Sequence, residues 1–355
     1  MNTDSSTPDF YLGVTAGGDV AETMKLIAEV KDFTNLLVIT NLEVTKNKTS
    51  LEALADYAVD SGLSVMIYAV YPSPTANYTY NPIAWVQEAK ERYGDRFVGY
   101  YLFDEPGGNQ LDRGSFRQFD NTTKPHDYRD GTHTYIYYLY SQMRDFIETD
   151  KLFTSDYALF WFDYEAGYDT VLCHFGWNNS RPLNVALCRG AAEMHNKTWG
   201  VMMAWTYREP PYIEAAPALY RDMVDAYEAG ANYVVVFNYP NNVTEHGLLN
   251  GEHLNAIRDF SRFVSENPRN RTSNTERVAY VLPENYGWGL RNPDDTIWGV
   301  WEADENSPTV WEGVTRFLQE YGYGFDVVVD SPWTRLFGKY HYDRLVWWNE
   351  TQPSG

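Results

Sequence analysis

The run GYYLFDEPGG, residues 99–108, leads an apolar and aromatic strand directly into two adjacent carboxylates. Asp104 and Glu105 stand where the strand ends, and Pro106 and two glycines then interrupt it. Buried or half-buried charges need partners, and clefts are the places where proteins tolerate them. The run therefore predicts a buried strand whose carboxyl end lies at a functional site.

Short apolar runs alternate with amphipathic stretches on both sides of this strand. The alternation is typical of β-α units with a parallel sheet, and eight such units over residues 10–265 predict an α/β fold, the (β/α)8 TIM barrel. We expect strand four at residues 97–103 and strand five near 157–162, with little or no helix after strand five. A long polar insertion, residues 109–132, follows strand four.

The barrel is expected to carry a second, smaller unit. Residues 1–9 form a polar tail, and the polar stretch 266–276 is predicted to be a linker. Within residues 277–355, the apolar runs in RVAYVLPEN and FDVVVDSP flank an amphipathic helix pattern that opens with Ser-Pro. This order predicts a small α/β, flavodoxin-like module that is cut short and that offers a surface for homo-oligomer formation.

The composition excludes several classes of partner. A formal net charge of −21 over 355 residues argues against nucleic acid and against anionic membrane surfaces. No apolar stretch is long enough to cross a bilayer, so we expect no membrane insertion. The 29 Tyr and 12 Trp residues favour a carbohydrate substrate, because aromatic faces stack well against the C–H faces of sugars.

Eight Asn-x-Ser/Thr sequons suggest an exported glycoprotein. We expect an extracellular or cell-surface location, although the sequence itself shows no signal peptide. In such a protein Cys173 and Cys188 are predicted to form a disulfide, with two buried free thiols as the alternative. The predicted glycosylation sites are Asn47, Asn77, Asn121, Asn178, Asn196, Asn242, Asn270 and Asn349.

The sequence carries no pattern for a metal or cofactor site. The seven His residues show no HExxH spacing, and no phosphate loop, Rossmann fingerprint or GxSxG elbow is present. We therefore expect chemistry that uses side chains alone, with no metal and no cofactor.

A second strand end repeats the pattern of the first. The run GVMMAWTYREPP, residues 200–211, carries Glu209 just beyond its apolar part. Because the active site of a TIM barrel lies at the carboxyl ends of its strands, Glu105 and Glu209 are a candidate pair for cleaving glycosidic bonds. Polar and aromatic residues follow the other strands too, and the predicted substrate-binding set is Glu43, Asp163, His174, Trp205, Tyr207, Asn238 and Tyr239.

A barrel with one glutamate after strand four and another after strand seven resembles the retaining glycoside hydrolases of the large TIM-barrel clan. The resemblance implies that Glu105 is the general acid/base and that Glu209 is the nucleophile. The trailing module is similar to the amidotransferase-like domain that follows the barrel in some β-galactosidase relatives.

The sequence departs from that clan at one position, because Asp104 stands where the clan typically has Asn. An adjacent Asp-Glu pair instead resembles the N-acetylhexosaminidases, which implies that Asp104 orients the acetamido group of the substrate and that Glu105 is the acid. A third interpretation is a non-catalytic surface glycoprotein, or a carbohydrate-binding scaffold, built on a hydrolase-like barrel.

Overall fold

The computed structural model describes residues 9–70, 77–114, 125–240, 243–269 and 276–350. Eight parallel strands form a closed barrel in which each strand pairs with the next along the chain, and β1 pairs with β8 to close the ring. The strands are β1 Tyr11–Ala16, β2 Leu36–Ile39, β3 Ser64–Ala69, β4 Phe97–Leu102, β5 Leu152–Asp156, β6 Thr170–Phe175, β7 Thr198–Met203 and β8 Tyr233–Val236. The predicted TIM barrel is therefore confirmed.

Helices follow the strands and cover the outside of the barrel. Asp19 caps the first of them by accepting a hydrogen bond from the backbone N–H of Glu22, whose side chain bonds back to the cap. The helices are α1 Val20–Val30, α2 Leu42–Thr45, α3 Lys48–Asp60, α4 Pro82–Tyr93, α5 Pro106–Arg113, α6 Tyr128–Ile147, α7 Phe160–Ala166, α8 Arg181–Met194, α9 Ala216–Glu228 and α10 Gly251–Glu266. None of the helices in the described ranges is long and apolar enough to cross a membrane.

Alternate residues of each strand divide the core into two layers, because successive strand side chains point to opposite faces. Leu36 and Val38 of β2 face the barrel interior, whereas Leu37 and Ile39 pack against the outer helices. The rings of Tyr11 and Tyr233 stack inside the barrel with centroids 4.9 Å apart. The interior is therefore filled by side chains, and space for a ligand is left only at an end of the barrel.

The prediction for strand five is wrong in its position. The strand is Leu152–Asp156, and the second half of the region predicted as strand, residues 160–162, lies in the short helix α7. Phe160, Trp161 and Phe162 are consecutive and all buried, so the start of this helix shows no helical periodicity in the sequence. The polar insertion also contains structure, since α5 occupies its first residues and α6 begins at Tyr128.

The C-terminal region contains three parallel strands in the order β10-β9-β11. These are β9 Val278–Leu282, β10 Phe325–Val329 and β11 Arg344–Trp347, with the helices α11 Ser307–Tyr321 and α12 Pro332–His341 between them. We call residues 276–350 the C-terminal module. Its likeness to flavodoxin and its predicted truncation stay predictions.

The C-terminal module packs directly on α8 of the barrel. Gly190 makes this possible, because a Cβ atom there would lie 2.4 Å from the carbonyl oxygen of Val327 in β10. The neighbouring Arg189 donates from Nε to Asp326 Oδ1 at 2.7 Å and from its Nη atoms to three backbone carbonyls. The module is therefore held against the barrel by close packing and by a bonded guanidinium group.

The predicted disulfide is wrong, and the stated alternative of two buried free thiols holds. Cys173 lies in β6 and Cys188 in α8, both at 0 % exposure. The Cys188 thiol donates to the carbonyl oxygen of Val171 at 3.5 Å. Both sulfurs are small apolar groups in the layer between sheet and helix, where a cysteine packs well without a covalent partner.

Candidate active site

A cavity of about 660 Å³ lies at the carboxyl ends of the barrel strands. Its volume falls in the range of small-molecule sites. Asp104, Glu105 and Asp112 are the carboxylates of its lining, and Arg291 is a cation in it. The aromatic residues of the lining are Tyr68, Tyr101, Tyr157, Trp177, Trp205, Phe237 and Tyr239.

Glu105 is presented to the cavity by a sharp turn between β4 and α5. Phe103 and Glu105 have φ values of 55° and 53°, in the left-handed region that is uncommon for residues other than glycine. The backbone N–H of Glu105 donates to the carbonyl oxygen of Ser155 at 3.0 Å, and Pro106 starts the helix at its first position. Such backbone strain persists where the surrounding structure fixes it, and it clusters at functional sites.

The two glycines after the turn are required by close packing. A Cβ atom at Gly108 would lie 2.0 Å from the ring of Tyr157, and one at Gly107 would lie 2.5 Å from the carbonyl oxygen of Ala158. The N–H groups of Gly107 and Gly108 donate to the carboxylate of Asp156 at 2.5 and 2.8 Å. Asp156, at 0 % exposure, thus ties the start of α5 to the end of β5.

Asp104 and His174 are joined by a hydroxyl network. Tyr101 donates to Asp104 Oδ1, and Ser155 Oγ donates to the same oxygen at 3.2 Å. Ser155 Oγ also lies 2.8 Å from Nε2 of His174, whose Nδ1 is 3.5 Å from Oε1 of Glu105. Burial lowers the pKa of His174 to about 4, so its imidazole is neutral at pH 7.

Glu105 has the properties of a group that holds a proton at neutral pH. Burial raises the pKa of this carboxyl to about 8, and the negative charges of Asp104, Asp156 and Asp112 add to the effect. Its side chain is still 33 % exposed, so a ligand in the cavity can reach it. A protonated carboxylic acid next to a second carboxyl group is an arrangement that serves general acid catalysis.

Five of the residues predicted from the sequence line the cavity, namely Asp104, Glu105, His174, Trp205 and Tyr239. The others lie elsewhere, for two different reasons. Glu43, Tyr207 and Glu209 are exposed and do not belong to the cavity lining, whereas Asp163 and Asn238 are buried.

The two buried residues have structural partners. Asp163 accepts a hydrogen bond from the hydroxyl of Tyr135 at 2.6 Å, and burial raises its pKa well above the ordinary value. Asn238 braces the chain after β8 by donating to the carbonyl oxygen of His246 and accepting from the N–H of Leu248, both at 2.8 Å. Neither residue lines the cavity; the side-chain amide of Asn238 is bonded within the protein, whereas Oδ2 of Asp163 is buried without a hydrogen-bond partner among the described residues.

A second polar group of the cavity was not predicted from the sequence. Asp112, in α5, accepts from the hydroxyl of Tyr157 at 2.6 Å and from Nη1 of Arg291 at 2.5 Å. Arg291 lies in the segment between β9 and α11, and therefore comes from the C-terminal module. No local pattern in the sequence predicts a contact between residues that far apart along the chain.

The described part of the chain offers no cluster of three or more His, Cys, Asp or Glu side chains placed to hold a metal ion. Within the cavity lining, Asp104 and Asp112 have hydroxyl or guanidinium donors as partners. Both carboxylates are thus held in place by groups of the protein itself.

Comparison by sequence finds no matching protein-family model and no matching curated protein. Among solved structures, the chain is similar to a GH5_18 protein from Streptomyces cattleya in complex with Manb1-4GlcNAc, at 14 % identity and a TM-score of 0.54, over 96 % of this chain and 99 % of that one. It is also similar to alpha-L-fucosidase isoenzyme 2 from Paenibacillus thiaminolyticus, at 14 % identity and a TM-score of 0.53, over 95 % of this chain and 59 % of that one. At these identities the likeness shows the barrel fold.

Proposed function

We propose that this protein is a glycoside hydrolase in which Glu105 is the general acid. The observation that carries the proposal is a carboxyl group with a pKa of about 8 at the carboxyl end of β4, exposed to a cavity lined by aromatic rings. Glycosidic bond cleavage needs a proton on the leaving oxygen, and a carboxylic acid that keeps its proton at neutral pH supplies it. The names of both structural neighbours fit this proposal.

The geometry favours Asp104 as the partner of Glu105. Its carboxylate lines the same cavity and is held by the hydroxyls of Tyr101 and Ser155. In the proposed reaction Glu105 gives its proton to the glycosidic oxygen while the carbonyl oxygen of the 2-acetamido group of the substrate attacks C1. Asp104 accepts a hydrogen bond from the acetamido N–H. The bond from C1 to the leaving sugar breaks. Water then attacks C1 while the bond from C1 to the acetamido oxygen breaks, and a proton of that water passes to Glu105.

The two-glutamate mechanism has less support. Glu209 is exposed and lies outside the cavity lining, and its backbone carbonyl accepts the N–H of Tyr212 in a turn beyond β7. A retaining nucleophile needs a carboxylate about 5–5.5 Å from the acid, across the bound sugar. Substrates with a 2-acetamido group are accordingly the preferred class.

The test is a panel of aryl glycosides that differ at C2. We expect release of the aryl group from β-N-acetylglucosaminides or β-N-acetylgalactosaminides, and much slower release from the glucosides and galactosides that carry a 2-hydroxyl. Hydrolysis of the 2-hydroxyl substrates alone would refute the substrate-assisted mechanism but would still support a glycoside hydrolase. If the protein hydrolyses neither these aryl glycosides nor longer glycans, the proposal that it is a hydrolase is refuted.

A second candidate is a carbohydrate-binding protein without hydrolytic activity. The exposed position of Glu209 favours it, because a barrel that has lost its second catalytic carboxylate keeps its fold and its aromatic cavity. Binding of N-acetylated oligosaccharides without turnover, in both the natural protein and Glu105→Gln, is the result that this candidate predicts.

We further propose export and N-glycosylation. The sequon residues Asn121, Asn242 and Asn270 lie outside the described residues. Those within the described ranges are all exposed, which an oligosaccharide requires, and they are Asn47, Asn77, Asn178, Asn196 and Asn349. A mass decrease after treatment with a peptide N-glycosidase, on protein from a eukaryotic secretory host, tests the modification.

A further inference from the structure

We propose that Arg291 of the C-terminal module and Asp112 of α5 together bind hydroxyl groups of a neutral sugar, so that the module supplies part of the active site. The inference rests on the proposed function, since it assigns the residues that hold the substrate of that same cavity.

The segment that carries Arg291 is fixed against the barrel. The carbonyl oxygen of Trp298 accepts the side-chain amide of Gln110 at 2.9 Å, and the Trp298 ring lies 5.4 Å from the ring of Tyr135. Gly114 and Gly299 approach so closely that a Cβ atom at Gly114 would lie 2.2 Å from the carbonyl oxygen of Gly299. The segment between β9 and α11 thus contacts both α5 and α6 and delivers Arg291 to a fixed position.

Arg291 keeps donor capacity for a ligand. Its Nε and Nη2 atoms bond the two oxygens of Asp295 at 2.9 and 2.7 Å, and Nη1 bonds Asp112 at 2.5 Å. A guanidinium group has five N–H donors, and within the described residues these bonds use three of them. The side chain is 24 % exposed and lines the cavity.

Asp112 supplies acceptors beside these donors. Its side chain is 54 % exposed, and its two oxygens bond Tyr157 and Arg291. An ionised carboxylate has about four acceptor positions, so it can take further hydrogen bonds from a ligand. Neighbouring hydroxyls of a sugar match this pair, because one hydroxyl can donate to Asp112 while the next accepts from Arg291.

The charge of the group predicts a neutral sugar. One guanidinium faces the carboxylates of Asp112 and Asp295, and Asp104 lines the same cavity. Arg113 also acts on Asp112, but the two guanidinium charges are outnumbered by these three carboxylates, so a carboxylate or sulfate on the sugar would be repelled. Uronic acids and sulfated sugars are excluded from this position by the same argument.

The experiment measures binding and turnover in Arg291→Met, Arg291→Lys and Asp112→Asn, with Arg335→Met as the matched control. Arg335 also lies in the C-terminal module and bonds both oxygens of a carboxylate, Asp330, but it does not line the cavity. The probe is chitobiose, a neutral disaccharide of GlcNAc, and its affinity is measured by calorimetry in the Glu105→Gln background so that no turnover interferes.

We expect Arg291→Met and Asp112→Asn to weaken chitobiose binding about 10- to 100-fold, which is the usual cost of losing hydrogen bonds to charged groups. In the otherwise natural enzyme they raise KM by a similar factor and change kcat less. Arg291→Lys recovers part of the loss, since it restores a charge without the planar donors. Arg335→Met is expected to bind chitobiose as tightly as the Glu105→Gln parent does. Glucuronic acid is expected to bind to none of these proteins.

An unchanged affinity in Arg291→Met and Asp112→Asn would overturn the inference, as would equal weakening by Arg335→Met. If Arg291→Met fails to fold, Asp112→Asn decides alone, because its side chain is half exposed on a surface helix. Arg291-dependent binding of chitobiose in a protein that hydrolyses no glycoside would keep the inference and refute the proposed hydrolase.

Discussion

The replacement Glu105→Gln is predicted to stabilise the protein at neutral pH while it removes activity. The carboxyl has a pKa of 4.5 as its ordinary value and about 8 in the folded chain. Below pH 4.5 the carboxyl is protonated in the folded and in the unfolded chain, so it does not change the free energy of unfolding. Between these two values the unfolded chain releases the proton while the folded chain keeps it, so the folded state loses stability as the pH rises.

The size of the effect follows from the same two values. Each pH unit in this interval lowers the free energy of unfolding by about 1.4 kcal/mol, so the loss at pH 7 is at most roughly 3.4 kcal/mol. Because a third of the side chain is exposed to solvent, screening reduces this limit, and we expect about 1–2 kcal/mol. Gln does not ionise in this range, so the variant does not lose this free energy of unfolding as the pH rises.

The assay is urea denaturation of the natural protein and Glu105→Gln at pH 5, 6, 7 and 8. The difference in free energy of unfolding is expected to be small at pH 5 and to grow in favour of the variant up to pH 8. Glu209→Gln is the matched control, since Glu209 is exposed and its removal should leave stability unchanged at each pH. A difference that does not change with pH, or a variant less stable at pH 8, would show that Glu105 does not have a raised pKa in the folded protein.

Three further predictions concern the support of the site and the thiols. Gly108→Ala should lose about 1–3 kcal/mol of unfolding free energy in urea, because its Cβ would lie 2.0 Å from the Tyr157 ring. Asp156→Asn should lower kcat and stability together, since it weakens the acceptor of the Gly107 and Gly108 N–H groups; unchanged kcat would contradict this. Unreduced, denatured protein should show two reactive thiols, whereas a disulfide would give none.

The parts of the structure that depend on local pattern could be predicted from the sequence. The alternation of apolar and amphipathic stretches predicted the barrel, and a strand that runs into Asp104 and Glu105 located the acidic end of β4. Strand five was misplaced because Phe160, Trp161 and Phe162 are consecutive and all buried, so that this aromatic run has no period to distinguish helix from strand.

The rest of the site depends on contacts between distant residues. Asp163 was expected at the end of strand five but lies in α7, bonded to Tyr135. Asn238 does follow β8, but the sequence does not tell whether its side chain turns to the cavity or to a buried partner. The bond between Asp112 and Arg291 joins positions 179 residues apart. Only the packing of the C-terminal module on the barrel brings this pair to the cavity.

The proposed mechanism requires Glu105 as the proton donor and needs no nucleophilic carboxylate from Glu209. Its most direct test is kcat/KM for the best aryl N-acetylhexosaminide, measured in parallel for the natural protein, Glu105→Gln and Glu209→Gln. We predict that Glu105→Gln loses about 10²- to 10⁴-fold, the usual contribution of a positioned acid, while Glu209→Gln stays within about threefold. A comparable loss in Glu209→Gln, or full activity in Glu105→Gln, would rule out this mechanism.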